Sequence, residues 1–425
     1  MKTLAVSLFI FAAFFHSLQG EILRNAKGVP VRYAGIYAKT PVDLPALRFR
    51  SVQFRAVWCA VVENLDFPKC ADAAQFKKHF SSVLHLLRKN NCNVLIFQVR
   101  ANADAVYLSR YNPFSAWISG KMGGTLGNFD PLPYMVKECH RKGIEFHAWL
   151  NPYRITGKTP LSKKSYLKTL PERHIARLRS DLVLASRNPD GTTALQFDPG
   201  RVEVINHILH TVKEIIEKAP VDAIHFDDYF YPYNPLSPGA DQYSFSRFNP
   251  RRLSLEDWRR NNVNALVSQV SRLCRSRGVR FGISPFGIWG NAKDVKGGSL
   301  TGGTQSRSDL YADSLHWIRQ GYLDYIIPQI YWSFDHPKAA YAALTDWWIR
   351  VMRRYPGTAL YIGHGLYKIS SREFYDQLRY NAVHREIGGE ALYALRHLRS
   401  EKFSNVLKKC WPRPVPAGLY PQKGR

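Results

Sequence analysis

Apolar positions along the chain alternate between two rhythms. Short continuous apolar runs, the mark of strands buried on both faces, are separated by stretches whose apolar residues recur every three or four positions, the mark of helices packed on one side. The runs span residues 54–62, 93–100, 144–150, 221–226, 279–284, 323–332, 358–363 and 389–395. The helical stretches span 76–89, 133–142, 202–218, 255–277, 310–320, 341–353 and 371–385. Eight strands alternating with helices, with no linker between them, predict one (β/α)8 TIM barrel over residues 21–400. A doubly wound open sheet competes, but no Gly-rich phosphate fingerprint follows the first strand. Residues 401–425 read as a final helix and a Pro-rich tail. Two long interruptions read as loops: Gly-rich 109–129 after strand two, and 151–198 after strand three. The second is basic, with Lys158, Lys163, Lys164, Lys168, Arg173, Arg177 and Arg179. Both follow strand carboxyl ends, where barrels build their sites.

The fourth run ends in Asp227-Asp228, followed at once by aromatics and Pro232. Two adjacent carboxylates at the end of a buried strand are costly unless paired, metal-bound or catalytic. The bland alternative, one Asp capping a helix and the other meeting an Arg, starts at about even odds for so short a motif. Its neighbours change that balance. Polar and aromatic residues gather at the same end of six strands: Gln98, Arg100 and Asp104; His147, Trp149, Asn151 and Arg154; His225, Asp227, Asp228 and Tyr229; Ser284 and Trp289; Gln329, Tyr331, Trp332 and Asp335; His364 and Tyr367. Any one has a packing explanation; the set does not. Amides and carboxylates bond sugar hydroxyls, Trp and Tyr stack on sugar faces, and two carboxyls divide acid and nucleophile work.

The N-terminus adds a compartment. Lys2, the apolar run 4–15 and the small-residue end at Gly20 read as a secretory signal over residues 1–20, too short for a confident membrane span. The net charge of +27 calls for an anionic partner. For an exported protein that is an acidic glycan rather than nucleic acid, with no stable membrane insertion once the signal is removed. The six cysteines show no metal spacing and fit disulfides or buried thiols equally. No cofactor or metal is expected, and oligomeric state is left open.

Nine segments then carry a resemblance: FRAVWCAVVENLDFP, IFQVRANADAVY, PLPYMVKECHRKGIEFHAWLNPYRI, VDAIHFDDYFYPY, WRRNNVN, FGISPFGIWGN, YADSLHWI, DYIIPQIYW and LYIGHGLYK. In type and order they resemble the glycosyl hydrolase-like 10 family of bacterial cell envelopes. The resemblance implies a TIM-barrel glycoside hydrolase, in some members cleaving peptide-stripped peptidoglycan glycan, and hence periplasmic or cell-envelope localisation. Gly290 stands where the family suggests Arg, with Arg307 a candidate substitute.

Within that framework Asp227 takes the position where retaining barrel glycosidases often carry their nucleophile; Asp228 is either the acid or a group that orients Arg100 or Arg154, and Asp104 and Asp335 are alternative acids. Arg100, His147, Trp149, Asn151, Arg154, His225, Tyr229, Trp289, Gln329, Tyr331 and Trp332 are candidate substrate contacts. Strand five ends in Ser284 where related barrels often place a Glu. That absence supports a second reading, a non-catalytic glycan-binding barrel of the envelope. A third, a metal-dependent deacetylase or hydrolase on His147, His225 and Asp227, lacks ligand spacing.

Overall fold

The computed structural model describes residues 20–418. The N-terminal signal reading and the end of the Pro-rich tail lie outside them. Eight parallel strands close into a barrel in sequence order: β1 (Phe54–Cys59), β2 (Val94–Arg100), β3 (Glu145–Leu150), β4 (Ala223–Phe226), β5 (Arg280–Ile283), β6 (Tyr325–Ile326), β7 (Ala359–Gly365) and β8 (Ile387–Tyr393). β4 pairs with β5, and β8 with β1 to complete the ring. The main helices are α1 (Ala73–Lys89), α2 (Pro131–His140), α3 (Val202–Lys218), α4 (Leu255–Ser276), α5 (Ser314–Arg319), α6 (Tyr341–Arg354), α7 (Ser371–Ala382) and α8 (Glu401–Cys410), with shorter ones in the connections. This is the predicted (β/α)8 barrel.

Local chemistry sets the helix ends. Asp72, Asp130, Ser254 and Ser370 each cap a helix by accepting a backbone N–H with the side chain. Asp130 with Pro131 starts α2 two residues earlier than the apolar rhythm suggests. α5 is shorter than expected: Tyr311 holds a left-handed φ of 52° and Asp313 caps the helix only at Ser314.

Strand six is likewise shorter than its apolar run. Pro328 has no N–H to offer a ladder, so only Tyr325–Ile326 qualifies as strand. The segment nevertheless stays in the wall, because the Pro328 carbonyl accepts from Gly363 N and Ile330 N donates to Gly363 O, both at 3.0 Å.

Two apolar layers result. The barrel interior is filled by Phe54, Ala56, Ile96, Ala223, Tyr325 and Tyr361, among others, with Phe54 stacked on Tyr361 at 3.8 Å. A larger layer lies between strands and helices. Gly282 makes room inside: a Cβ there would lie 2.0 Å from the Tyr325 ring. The Pro-rich tail packs against the N-terminal side of the first two strands, where Pro416 O accepts from Gln53 N and Val415 O from Asn93 Nδ2.

The stretch after β3 is not a loop. Residues Arg154–Thr159, Val183–Arg187 and Thr193–Phe197 form an antiparallel sheet, the last strand in the middle. Its hairpin turns at Asn188-Pro-Asp-Gly191, closed by Asn188 N to Thr192 O at 2.8 Å, with Gly191 at φ 81°. All six cysteines are buried free thiols.

Candidate active site

A cavity of about 400 Å³ opens at the carboxyl end of the barrel. Every strand end contributes: Trp58 after β1's start, Gln98, Trp149, Asp227 and Asp228, Ser284, Gln329 with Tyr331 and Trp332, Tyr367, and Tyr393. Asp227 and Asp228 follow the last residue of β4, so strand alternation no longer binds them and both line the same cavity.

Asp227 is held entirely by donors. Its Oδ2 accepts from the Trp149 indole N–H at 3.1 Å and from the Asn151 amide; its Oδ1 accepts from Tyr229 N at 3.2 Å. The sense of this arrangement is fixed upstream. Gln98 Oε1 accepts from the backbone N–H groups of Val61 and Val62, each at 3.0 Å. A backbone amide can only donate, so the oxygen of Gln98 must face β1 and its NH₂ must face β3. Gln98 Nε2 therefore donates to Asn151 Oδ1 at 2.6 Å, which turns the Asn151 NH₂ onto Asp227. The relay ends on an acceptor, and it favours a charged Asp227.

Asp228 accepts from the Tyr233 hydroxyl, with Gln329 beside it. Arg154, stacked 3.7 Å above the Tyr229 ring, is the cation that faces the pair. Burial first, and the charge of Asp228 second, push Asp227 up to about 7. Burial also raises Asp228, against the Tyr233 hydrogen bond. Two carboxyls in one dry site do not both ionise readily, so the pair retains one proton at neutral pH. Both carboxyls accept donors, Asp227 from Trp149, Asn151 and the Tyr229 N–H and Asp228 from Tyr233, so the proton belongs to the pair.

Of the residues expected from sequence, Asp227, Asp228, Trp149, Arg154, Tyr229, Gln329, Tyr331 and Trp332 line the cavity. Asn151 reaches it through Asp227. The remainder are elsewhere. Asp104 is fully buried in the turn after β2, accepting from Ala101 N and Asn102 N at 2.9 Å and from Ser115. Asp335 is exposed and bonded to Ser333. Neither carboxyl lines the cavity, so neither is placed as its acid.

Arg100 lies buried behind the site, donating to the Asn151 and Pro152 carbonyls and setting the backbone that carries Asn151. His147 and His225 share the Tyr325 hydroxyl inside the barrel, at 2.9 and 3.1 Å. His225 also bonds Ser284 at 3.0 Å, which explains the Ser at the end of strand five. Burial lowers both histidines, which stay neutral packing groups. Trp289 turns away, donating to Asp313 at 2.9 Å and stacking on Trp347. Phe286 lines the cavity from that segment instead, edge-on to Trp332. His364 bonds Gln377 and Glu390 and is structural. Arg307 lies over Trp289, not at the cavity, and Gly290 packs against Val295.

Several lining residues were missed: Trp58, Glu63, Tyr233, Phe286, Lys368 and Tyr393. Trp58 shares the inward face of β1 with Phe54 and Ala56, a signal that strand alternation offered. Glu63 carried no such signal; its φ of 53°, and that of Asn64, belong to an irregular turn. Among the described residues no group of three or more His, Cys, Asp or Glu forms a metal site.

Comparison with known proteins agrees with this architecture. The family described as Glycosyl hydrolase-like 10 matches residues 53–380. Glycosyl hydrolase YngK of Bacillus subtilis is 39% identical over 363 residues, covering 81% of this chain and 69% of the relative. Glycosyl hydrolase DigH of Escherichia coli is 35% identical over 340 residues, covering 76% of each. Among solved structures, the catalytic domain of β-amylase from Paenibacillus polymyxa superposes with a TM-score of 0.52 at 11% identity, covering 88% of this chain and 97% of that one. The PgaB glycoside hydrolase domain from Bordetella bronchiseptica gives 0.50 at 12% identity, covering 84% and 99%. The chain belongs to the glycosyl hydrolase-like 10 family and is a glycoside hydrolase.

Proposed function

We propose that the protein is exported and cleaves glycosidic bonds in peptide-stripped glycan strands of the bacterial cell envelope. The observation that carries the chemistry is the buried carboxyl pair, with Asp227 at the end of a donor relay and Asp228 beside Tyr233; in this reading Asp227 reacts as the charged member and Asp228 as the proton donor. As the bond breaks, the leaving oxygen takes the Asp228 proton, while positive charge growing at the anomeric carbon meets Asp227. Water then adds its hydroxide to that carbon and returns its proton to Asp228, restoring the pair. Trp58, Trp149, Phe286 and Trp332 supply flat apolar faces for sugar rings and exclude water from the carboxyls.

The substrate class is supported by charge. The chain carries +27, and peptidoglycan glycan stripped of peptide bears a carboxylate on every second sugar. The apolar run 4–15 behind Lys2 supports export. Incubation with amidase-treated glycan strands should release new reducing ends, and peptide-bearing sacculi should release far fewer. Equal release from both, or release only from an unrelated neutral polysaccharide, would contradict the assignment.

A further inference from the structure

A second cavity of about 300 Å³ adjoins the first and shares Glu63, Arg154, Tyr229 and Tyr233 with it. Its far side is built by the small antiparallel sheet after β3, through Gly157, Ser186, Asn188 and Gln196. Its size suits one small ring. Two lining residues keep buried polar atoms without a partner: Gln196 Nε2 and the Tyr231 hydroxyl. Both atoms are enclosed behind the wall, with Arg259 and Tyr311 against the Tyr231 ring, so the cavity surface itself is set by the tyrosine rings and the small sheet. Tyr229 and Tyr233 stand 40% and 41% exposed at the junction, edge-to-face at 5.5 Å, a large apolar area for a surface with nothing on it. Charge at the rim is mixed. Arg154 stacks on Tyr229 at the junction and Glu63 stands on the same rim. Lys158 is engaged by Asp190 at 2.6 Å, which leaves Arg154 as the cation facing inward.

We propose that this second cavity binds a further pyranose ring of the glycan being cut, beside the ring whose bond breaks, with that ring's carboxylate against Arg154. The inference rests on the proposed substrate class and deepens it: the small sheet makes the enzyme a reader of chain length as well as a cutter. Tyr229 and Tyr233 face both rings.

Gly157 provides the test, because it lines the cavity and an added Cβ there meets nothing within 4 Å, so the wall accepts a larger side chain without disturbing the fold. Peptide-stripped, carboxylate-bearing oligosaccharides of increasing length are titrated into the Asp227→Asn protein, alone and combined with Gly157→Leu; Gly157→Ala serves as the folding control. The expected result is about tenfold weaker binding of the longer chains with Gly157→Leu, and a smaller change for the shortest. Unchanged affinity at every length would overturn the subsite. Neutral N-acetylglucosamine chains of equal length should bind more weakly than the acidic ones; equal binding would overturn the Arg154 contact. Length-dependent binding without any product from the wild-type protein would sink the hydrolytic substrate assignment and leave the subsite standing.

Discussion

Asp227 and Asp228 are chemically identical side chains separated by a single peptide bond, and their surroundings divide the work between them. Replacing Asp227 with Asn keeps the shape but removes the charge. The expected outcome is a loss of at least about 10³-fold in kcat/KM, measured on released reducing ends. The same substitution should raise Tm at pH 8, because it removes a carboxylate that burial holds near 7. The sign follows from linkage. A carboxyl raised in the folded state is fully accommodated below its unfolded value near 4, and stability is lost as pH climbs toward 7. Wild-type Tm should therefore fall between about pH 4 and pH 7 more steeply than that of Asp227→Asn. Activity has the same direction: kcat/KM should decline as pH rises through about 7, where the pair gives up its shared proton.

Gln98 tests the relay at one remove. Gln98→Leu frees Asn151 to rotate and leaves the N–H groups of Val61 and Val62 unpaired. A drop of about 100-fold in kcat is expected with a smaller effect on KM, since the loss is one of alignment. A matching loss in the pH-dependent decline would show that the charge is no longer held on Asp227. Much of this was legible at residue scale: the Asp pair, Trp149, Asn151 and Gln98 all stand at strand ends in the sequence. Trp289 was misplaced because the eight residues after β5 leave the strand, and no periodicity says whether Phe286 or Trp289 turns inward. Asp104 shares the local signature of a catalytic carboxyl, but its backbone donors, Ala101 N and Asn102 N, are its near neighbours in the chain and absorb it into a turn.

At the scale of elements, the barrel rests on fitted pairs rather than on area alone. Gly282→Ala would place a methyl 2.0 Å from the Tyr325 ring. Tyr325 also receives His147 and His225, so the strain cannot be relieved locally. A destabilisation of about 2–3 kcal/mol is expected from chemical denaturation, through a lower midpoint at constant m. The alternation of apolar runs revealed the eight strands because parallel strands in a barrel are covered on both faces. It overstated strand six, where Pro328 removes a donor that hydropathy cannot see. It also missed the small sheet, whose half-exposed strands mix Lys, Arg and Thr with Val and Leu. The turn at Asn188-Pro-Asp-Gly191, flanked by two five-residue runs, was the signal available there.

Across the whole molecule the excess of basic charge acts as a long-range term. Binding of carboxylate-bearing glycan should weaken several-fold between low salt and about 0.5 M, as the Debye length contracts to a few ångströms. Neutral chains of the same length should show little dependence on salt. A loss of equal size for both would mean that charge contributes nothing to recognition. The barrel end collects one group from each strand, so the site depends on ring closure; no single segment contains it. Sequence located most members of that site, but the pairing of Asp227 with a fixed donor chain emerges only when β1 to β4 stand side by side.

Hydrolysis by this protein adds water across a glycosidic bond under the control of Asp227. The direct measurement is mass spectrometry of peptide-stripped glycan after incubation in ¹⁸O-labelled water, with wild-type protein beside Asp227→Asn. Wild type should give shorter oligosaccharides carrying one ¹⁸O at each new reducing end, and the variant none above background. Anhydro ends without label, or equal products from both proteins, would contradict it.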